Sequence, residues 1–524
     1  GASIAGLRSM AAMKQVGLNV AADPLFTAAY QGVGAGFVVV SADDPGIHSS
    51  QNEQDNRQYA KFAKIPLVEP SDSQECLDFM KEAFEISERF DTPVLFRVTT
   101  RISHSKSLVE EKERISVPVR EYKKNQAKFI SAPENAKPNR IMLEKRLENL
   151  RSYAESSPLN RLEMAGDSIG VITASVAYHY AKEAFPPDTS FLKLGFTWPL
   201  PMNLIRDFAS RVKTLYVVEE LEPFMEEAIR AAGIPCVGKA LVPAIGELDP
   251  GVLEQRIFGR ERPSVDLAGE AVRRPPVLCP GCPHRGVFYA LSRGRNYVIA
   301  GDIGCYTLGY TQPLGAMDTC LCMGGGFTVA MGMAKAFEVS GRKDYKVFGL
   351  VGDSTFFHSG MTGAVEIIYN GGKVVPVVLD NRITGMTGHQ ENPGTGETLM
   401  GTPAPEIDIA KVLEALGFFP VLKIDPLDIK ATEFAFKAAS ESESPAAIVA
   451  QSPCALVKKL SPHRPPYSVD PEKCKSCKRC LKVGCPAISF DSVSRIDPDL
   501  CVGCSVCAQV CPFGAISKVE EAQR

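Results

Sequence analysis

Two cysteine blocks near the C-terminal end constrain this chain more than any other feature. The second, CVGCSVCAQVCP from Cys501 to Pro512, has the spacing C-x2-C-x2-C-x3-C-P. Three thiolates that close together can cap three irons of one [4Fe–4S] cubane, and the fourth cysteine of such a run ligates the other cluster of a pair. The first block, CKSCKRCLKVGCP from Cys474 to Pro486, repeats the pattern with four residues rather than three before its last cysteine. A local bulge is expected there. On this logic Cys474, Cys477, Cys480 and Cys511 hold one cluster, and Cys501, Cys504, Cys507 and Cys485 hold the other. Paired zinc knuckles are the alternative, since C-x2-C also suits tetrahedral zinc. Eight cysteines in a double period, each block closing on C-P, favour clusters. Upstream chemistry must then supply or take electrons.

The chain has 524 residues and 16 cysteines, half of them between Cys474 and Cys511. Such bunching points to metal ligation in a reducing, cytoplasmic and anaerobic setting, not to a secreted disulfide framework. A net charge of −3 gives no reason to expect nucleic acid or an anionic membrane surface. No apolar run approaches the roughly 18 residues of a membrane span. The first residues, GASIAGLRSMAAMKQVGLNV, lack the basic start of a signal peptide and read as a helix entered midway. The chain therefore reads as a piece of a longer protein.

Hydrophobic periodicity predicts an α/β multidomain protein with open parallel sheets. Residues 1–105 alternate strands and helices, with GFVVVSA and TPVLFRVTT as strands and SQECLDFMKEAFEISERF as the helix between them. Residues 106–163 are charged and proline-punctuated, and read as a linker with a surface helix. IGVITAS, TSFLKLG, VKTLYVVEE and GIPCVGK are the strands of a smaller α/β domain at 164–265. A third α/β domain follows at 266–460. SPHRPPY then leads into a two-cluster, bacterial-ferredoxin-like domain at 461–524.

The third domain holds one βαβ unit, with strands KVFGLVG and KVVPVVLDN. Parallel strands end on the same edge, where ligands of open α/β sheets bind. Gly352, Asp353, Ser354 and Asn381 emerge there. One carboxylate, one amide oxygen and a nearby carbonyl make a hard oxygen site, suited to Mg²⁺ already held by phosphates. Upstream, Gly324, Gly325 and Gly326 lead into a helix whose N-terminal N–H groups suit a diphosphate.

G-D-S followed by Asn381 resembles the thiamine-diphosphate motif. With HSSQNEQD, CPGCPHRG, GDIGC, GDSTFFHSG and the tail, the whole chain resembles the 2-oxoacid:ferredoxin oxidoreductases. The resemblance implies that Asp353, Asn381 and the Ile383 carbonyl hold Mg²⁺ on thiamine diphosphate. It also implies a further [4Fe–4S] cluster on Cys279, Cys282, Cys305 and Cys454, with Cys320 and Cys322 as competing ligands. The implied activity is oxidative decarboxylation of a 2-oxoacid with coenzyme A, electrons passing through the clusters to ferredoxin. An arylpyruvate such as indolepyruvate is the implied substrate, with pyruvate and branched-chain oxoacids left open. A smaller β subunit and a dimer of such heterodimers are the implied assembly. The family's activating glutamate is expected before residue 1, and no residue of this chain takes that role.

Three of the seven histidines fall in these motifs: His48, His284 and His358. Each reads equally well as a structural histidine or as a catalytic contact. Gln51, Asn52, Arg97 and Arg101 are weaker candidates for binding a carboxylate. Two rival activities remain: a non-oxidative thiamine decarboxylase, which has no use for eight cluster cysteines, and a non-catalytic electron-transfer subunit, which has none for Asp353 and Asn381.

Overall fold

Buried apolar runs become strands along most of the chain, and what covers them sets the architecture. The computed structural model describes residues 1–263, 269, 272, 274–460 and 464–519. The chain divides into two units, Gly1–Gly269 and Glu270–Arg524. The domain junctions expected at 265–266 and 460–461 fall on or beside residues outside the described set, as does the start of the SPHRPPY linker.

The first unit holds two sheets. One runs Ser9–Lys14, Phe37–Asp43, Val94–Thr99, Leu67–Val68 and Phe196–Trp198, parallel except for the last strand. The other runs Arg161–Glu163, Ser190–Leu194, Ile169–Ala174 and Thr214–Val218. The predicted helix is Ser73–Phe90. Asp72 caps it by accepting from the Glu75 amide, and Phe79, Ala83 and Ile86 are buried on one face. Leu18 and Val39 share a core with Ile172, Leu192 and Phe224. The segments expected as separate domains therefore form one unit.

Three expectations need correction in this unit. The N-terminal residues are not a helix entered midway: turns lead into the strand Ser9–Lys14, whose side chains alternate between half-buried and exposed. GIPCVGK forms no strand, and only Val237 bridges to Tyr216. The surface helix expected in 106–163 is the 22-residue Pro133–Ala154, and it is not confined to the surface. Its Leu143, Leu150 and Ala154 are buried in the cores of the first unit, and Leu147 is buried beside them.

The second unit is built on a six-stranded parallel sheet. Its order is Thr319–Cys320, Tyr297–Gly301, Lys346–Gly352, Val374–Asp380, Ala447–Gln451 and Val421–Ile424. Both faces are covered, which explains the continuous apolar strands. Phe348, Leu350, Val377 and Leu379 face a core with Phe288 and Phe436 from the helices His284–Leu291 and Ile429–Glu441. The alternate residues Val347, Val351, Val374 and Val378 face the helices Gly325–Val339, Met361–Tyr369 and Ile409–Leu416. The tail adds two antiparallel strand pairs, Tyr467–Val469 with Ile516–Lys518 and the hairpin Ile488–Asp491 with Val493–Ile496. Its Val483 and Val506 enter the first of these two cores. No helix among the described residues is long and apolar enough to cross a membrane.

Candidate functional site

Asp353 and Asn381 follow adjacent parallel strands in which Gly352 pairs with Leu379, so both leave the sheet at one edge. Both are buried. Asp353 Oδ1 accepts from the Ser354 amide (2.7 Å), and Oδ2 accepts from the Ile383 amide (3.2 Å) and from Asn392 Nδ2 (3.1 Å). Burial, and then the charge of Asp380, push the Asp353 carboxyl above its ordinary range. Among the described residues neither carboxylate has an ion-pair partner, and Arg382 pairs with Glu406 instead. Two crowded, buried carboxylates beside amide and carbonyl oxygens fit a hard divalent cation, which would supply the missing positive charge.

Asp353, Ser354, Asn381 and Ile383 line a cavity of about 90 Å³ together with His284, Cys305 and Tyr306. The helix Gly325–Val339 starts close by. Gly324 has φ +90°, and a Cβ on it would lie 1.9 Å from Ser359 Oγ. A Cβ on Gly326 would lie 2.0 Å from the Leu350 carbonyl oxygen. Glycine at both positions is thus required by the protein's own packing, whatever a diphosphate adds. Asp302 Oδ1 accepts from the Gly324 amide (2.7 Å). Tyr306 Oη donates to Asp302 Oδ2 (3.0 Å) and accepts from the Gly352 amide (2.9 Å). This pair ties the start of that helix to the end of the strand bearing Asp353. Burial pushes Asp302 up to about 6. Sequence reasoning missed Asp302, Tyr306 and Asn392. In the sequence GDIGCYTLG stands out for Cys305 and the family resemblance, not for Asp302 or Tyr306, and Asn392 carries no signal.

Of the three histidines, only His284 lines this cavity. It is buried edge-on to Tyr306, with ring centroids 5.6 Å apart, and burial lowers it to about 4, so it stays neutral. His358 lies outside the cavity lining, with Nδ1 3.1 Å from Ser359 Oγ. His48, in the first unit, lies 3.9 Å from Glu247. Gln51 and Asn52 are exposed. Arg97 is buried and committed to Asp43 (2.6 Å) and Glu69 (2.5 Å), and Arg101 pairs with Glu247. Neither arginine is a free carboxylate receptor.

The cysteines group in space. Burial pushes Cys282 up to about 12, and Cys279 and Cys305 add to it. Cys305 is raised by burial, then by Cys454 and Cys279, while Cys454 is raised by burial and by Cys279. The Cys454 amide also donates to the Asn381 carbonyl (2.9 Å), which sets this thiol beside the cation site. Cys320 and Cys322 are exposed, and Cys320 is raised by burial and by Asp302 rather than by the other thiols of this group. In the tail, Cys474, Cys477, Cys480 and Cys511 line one small pocket. Cys507 is pushed up to about 12 by burial, then by Cys504, Cys485 and Cys501. Thiols that raise one another in this way lack a positive charge that iron would provide. Among the described residues no three His, Cys, Asp or Glu converge on a single-ion site. The thiolates around a cubane cap different irons.

Comparison with known proteins agrees with this geometry. Residues 302–450 match the thiamine pyrophosphate enzyme, C-terminal TPP binding domain family, and residues 494–517 match the 4Fe-4S binding domain family. The chain is 40% identical to indolepyruvate oxidoreductase subunit IorA of Pyrococcus horikoshii, across 100% of this chain and 88% of the relative. Over 10% of this chain and 64% of the relative, it is 40% identical to pyruvate synthase subunit PorD of Methanothermobacter marburgensis. A solved 2-oxoglutarate:ferredoxin oxidoreductase from Magnetococcus marinus aligns with 49% of this chain and 54% of its own, at 15% identity and a TM-score of 0.39. Fold and site define a thiamine-diphosphate enzyme with an iron–sulfur tail, of the 2-oxoacid:ferredoxin oxidoreductase class. Within that class, the chain belongs to the indolepyruvate oxidoreductase subunit IorA family.

Proposed function

We propose that this chain carries out coenzyme A-dependent oxidative decarboxylation of an arylpyruvate such as indolepyruvate, sending electrons through three [4Fe–4S] clusters to a ferredoxin. The observation that carries this reading is the joining of two sites: the Cys454 amide bonds to the Asn381 carbonyl, and Cys305 and Asn381 line one cavity. Cluster thiols and cation ligands thus share a wall. Thiamine diphosphate, when bound, supplies the electron sink that loss of CO2 from a 2-oxoacid requires.

The chain's own residues do the rest. Asp353, the Asn381 side chain and the Ile383 carbonyl hold Mg²⁺, while Ser354 and Asn392 fix the Asp353 carboxylate. Asp302 and Tyr306 keep the Gly324 amide in register with Gly352. His284 stays neutral and offers the cavity wall one donor and one acceptor. Cys279, Cys282, Cys305 and Cys454 would hold a [4Fe–4S] cluster that accepts electrons, and the two tail sets would hold the clusters that carry them outward. The similarity to PorD, a pyruvate synthase subunit, over 10% of this chain supports its place within a multisubunit enzyme. A smaller β subunit, a dimer of heterodimers and a cytoplasmic location complete the proposal.

The substrate is tested by turnover of the anaerobic complex with indolepyruvate, pyruvate and a branched-chain oxoacid, each with coenzyme A and a ferredoxin. Preference for indolepyruvate in kcat/KM is the expected result. A higher value for pyruvate or the branched-chain acid would overturn the arylpyruvate assignment and leave the reaction class standing.

A further inference from the structure

Arg285 lies in CPGCPHRG, in the first turn of the helix His284–Leu291, and is 1% exposed. Nη2 donates to the carbonyls of Leu278 (2.6 Å) and Cys279 (3.0 Å), on the loop that presents Cys279 and Cys282. Nη1 donates to the carbonyls of Val483 (3.1 Å) and Gly484, immediately before Cys485 of the tail. Nε has no hydrogen-bond partner. Among the described residues no carboxylate pairs with this arginine. A buried cation without a counter-charge is costly. Here the available anions are the thiol sets on either side, and the guanidinium acts on both Cys282 and Cys504.

The irregular first cysteine block now has a structural counterpart. A 3-10 turn, Arg479–Val483, and Gly484 at φ +69° occupy the four-residue gap before Cys485. The two carbonyls taken by Arg285 lie within that gap. Two further contacts join the second cysteine block of the tail to the rest of this unit. A Cβ on Gly281 would lie 2.0 Å from Val502 Cγ2 of the tail, and Gln509 accepts from the Ile429 amide and donates to the Leu427 carbonyl. Arg285 contributes the only side-chain charge among these contacts.

We infer that Arg285 is the positioning residue of the internal electron route. It clamps the Cys279/Cys282 loop to the Cys485 loop, and its charge favours the reduced form of the cluster on each side. The inference rests on the cluster reading proposed above. A fixed positive charge between two anionic centres stabilises the extra electron on either one. The outer set, Cys474, Cys477, Cys480 and Cys511, should be far less affected.

The test is an EPR-monitored redox titration of the complete iron-loaded complex with Arg285 native, Arg285→Gln or Arg285→Lys, together with limited proteolysis of the tail. The native protein should show three [4Fe–4S] signals. Only two signals would overturn the cluster reading itself, and this inference with it. Arg285→Gln should make the proximal and Cys485-set clusters about tenfold harder to reduce, ~59 mV for a one-electron couple, and leave the third unchanged. Arg285→Lys should keep potentials near native, yet slow electron transfer into the tail and speed its cleavage, because one ammonium cannot span four carbonyls. Unchanged potentials in Arg285→Gln, or equal shifts in all three clusters, would overturn the assignment. If Arg285→Gln does not fold, Arg285→Lys decides: native transfer and native proteolysis contradict the clamp. Failure of both variants to load iron would show a general structural role and overturn it too.

Discussion

Asp353 shows how a single carboxylate reports a missing charge. It is buried, hydrogen-bonded by Ser354, Ile383 and Asn392, and crowded by Asp380. Asp353→Ala should abolish Mg²⁺-dependent thiamine diphosphate binding in calorimetry. Asn392→Ala, which frees the carboxylate without removing it, should weaken Mg²⁺ affinity about 10–100-fold. Equal, near-native affinity in both variants would contradict the cation site. Glu220 gives a pH signature in the first unit. It is 6% exposed, and burial raises it to about 7. Between pH 4.5 and 7 the folded state keeps a proton that the unfolded state has lost, so stability falls as pH rises across that window, by about 3 kcal/mol. Glu220→Gln should flatten this slope and raise the melting temperature at pH 8. A slope unchanged from native would show that the group is not buried as described.

Elements whose pattern was continuous were legible, and those whose burial comes from partners were not. KVFGLVG became the strand Lys346–Gly352, and SQECLDFMKEAFEISERF the helix Ser73–Phe90, without loss of a residue. GIPCVGK failed because a short apolar run at a sheet edge needs a ladder of bonds, and only Val237 has one. A helix is expected within 106–163, but as a surface one, because Lys, Arg and Glu dilute the buried stripe Leu143, Leu147, Leu150 and Ala154 of Pro133–Ala154. In the site, Asp353 and Asn381 were legible from spacing. Cys305 and Cys454 came only from the family resemblance, since they reach Cys279 from distant points in the chain. Asp302, Tyr306 and Asn392 become partners only once the fold exists. The helix Gly325–Val339 carries a testable consequence. Gly326→Ala places a methyl 2.0 Å from the Leu350 carbonyl, so the helix must shift. A loss of about 1–3 kcal/mol is expected in thermal unfolding, with weaker thiamine diphosphate binding. Native values for both would mean that the approach is looser than described.

At the scale of the molecule, a cation site, a set of four thiols and an iron–sulfur tail occupy one unit and share backbone contacts. The tail is part of that unit's core, since Val483 and Val506 pack with Phe288 and Phe436. That arrangement is what the proposed route of electrons through the tail rests on. The most direct measurement is anaerobic: the complete, native complex, shown to contain thiamine and iron, is mixed with single 2-oxoacids, with and without coenzyme A, while the visible iron–sulfur absorbance is followed. Bleaching by one class of oxoacid is the predicted result. Absorbance unchanged by every oxoacid would contradict the central claim, because the clusters would then draw their electrons from somewhere other than this site.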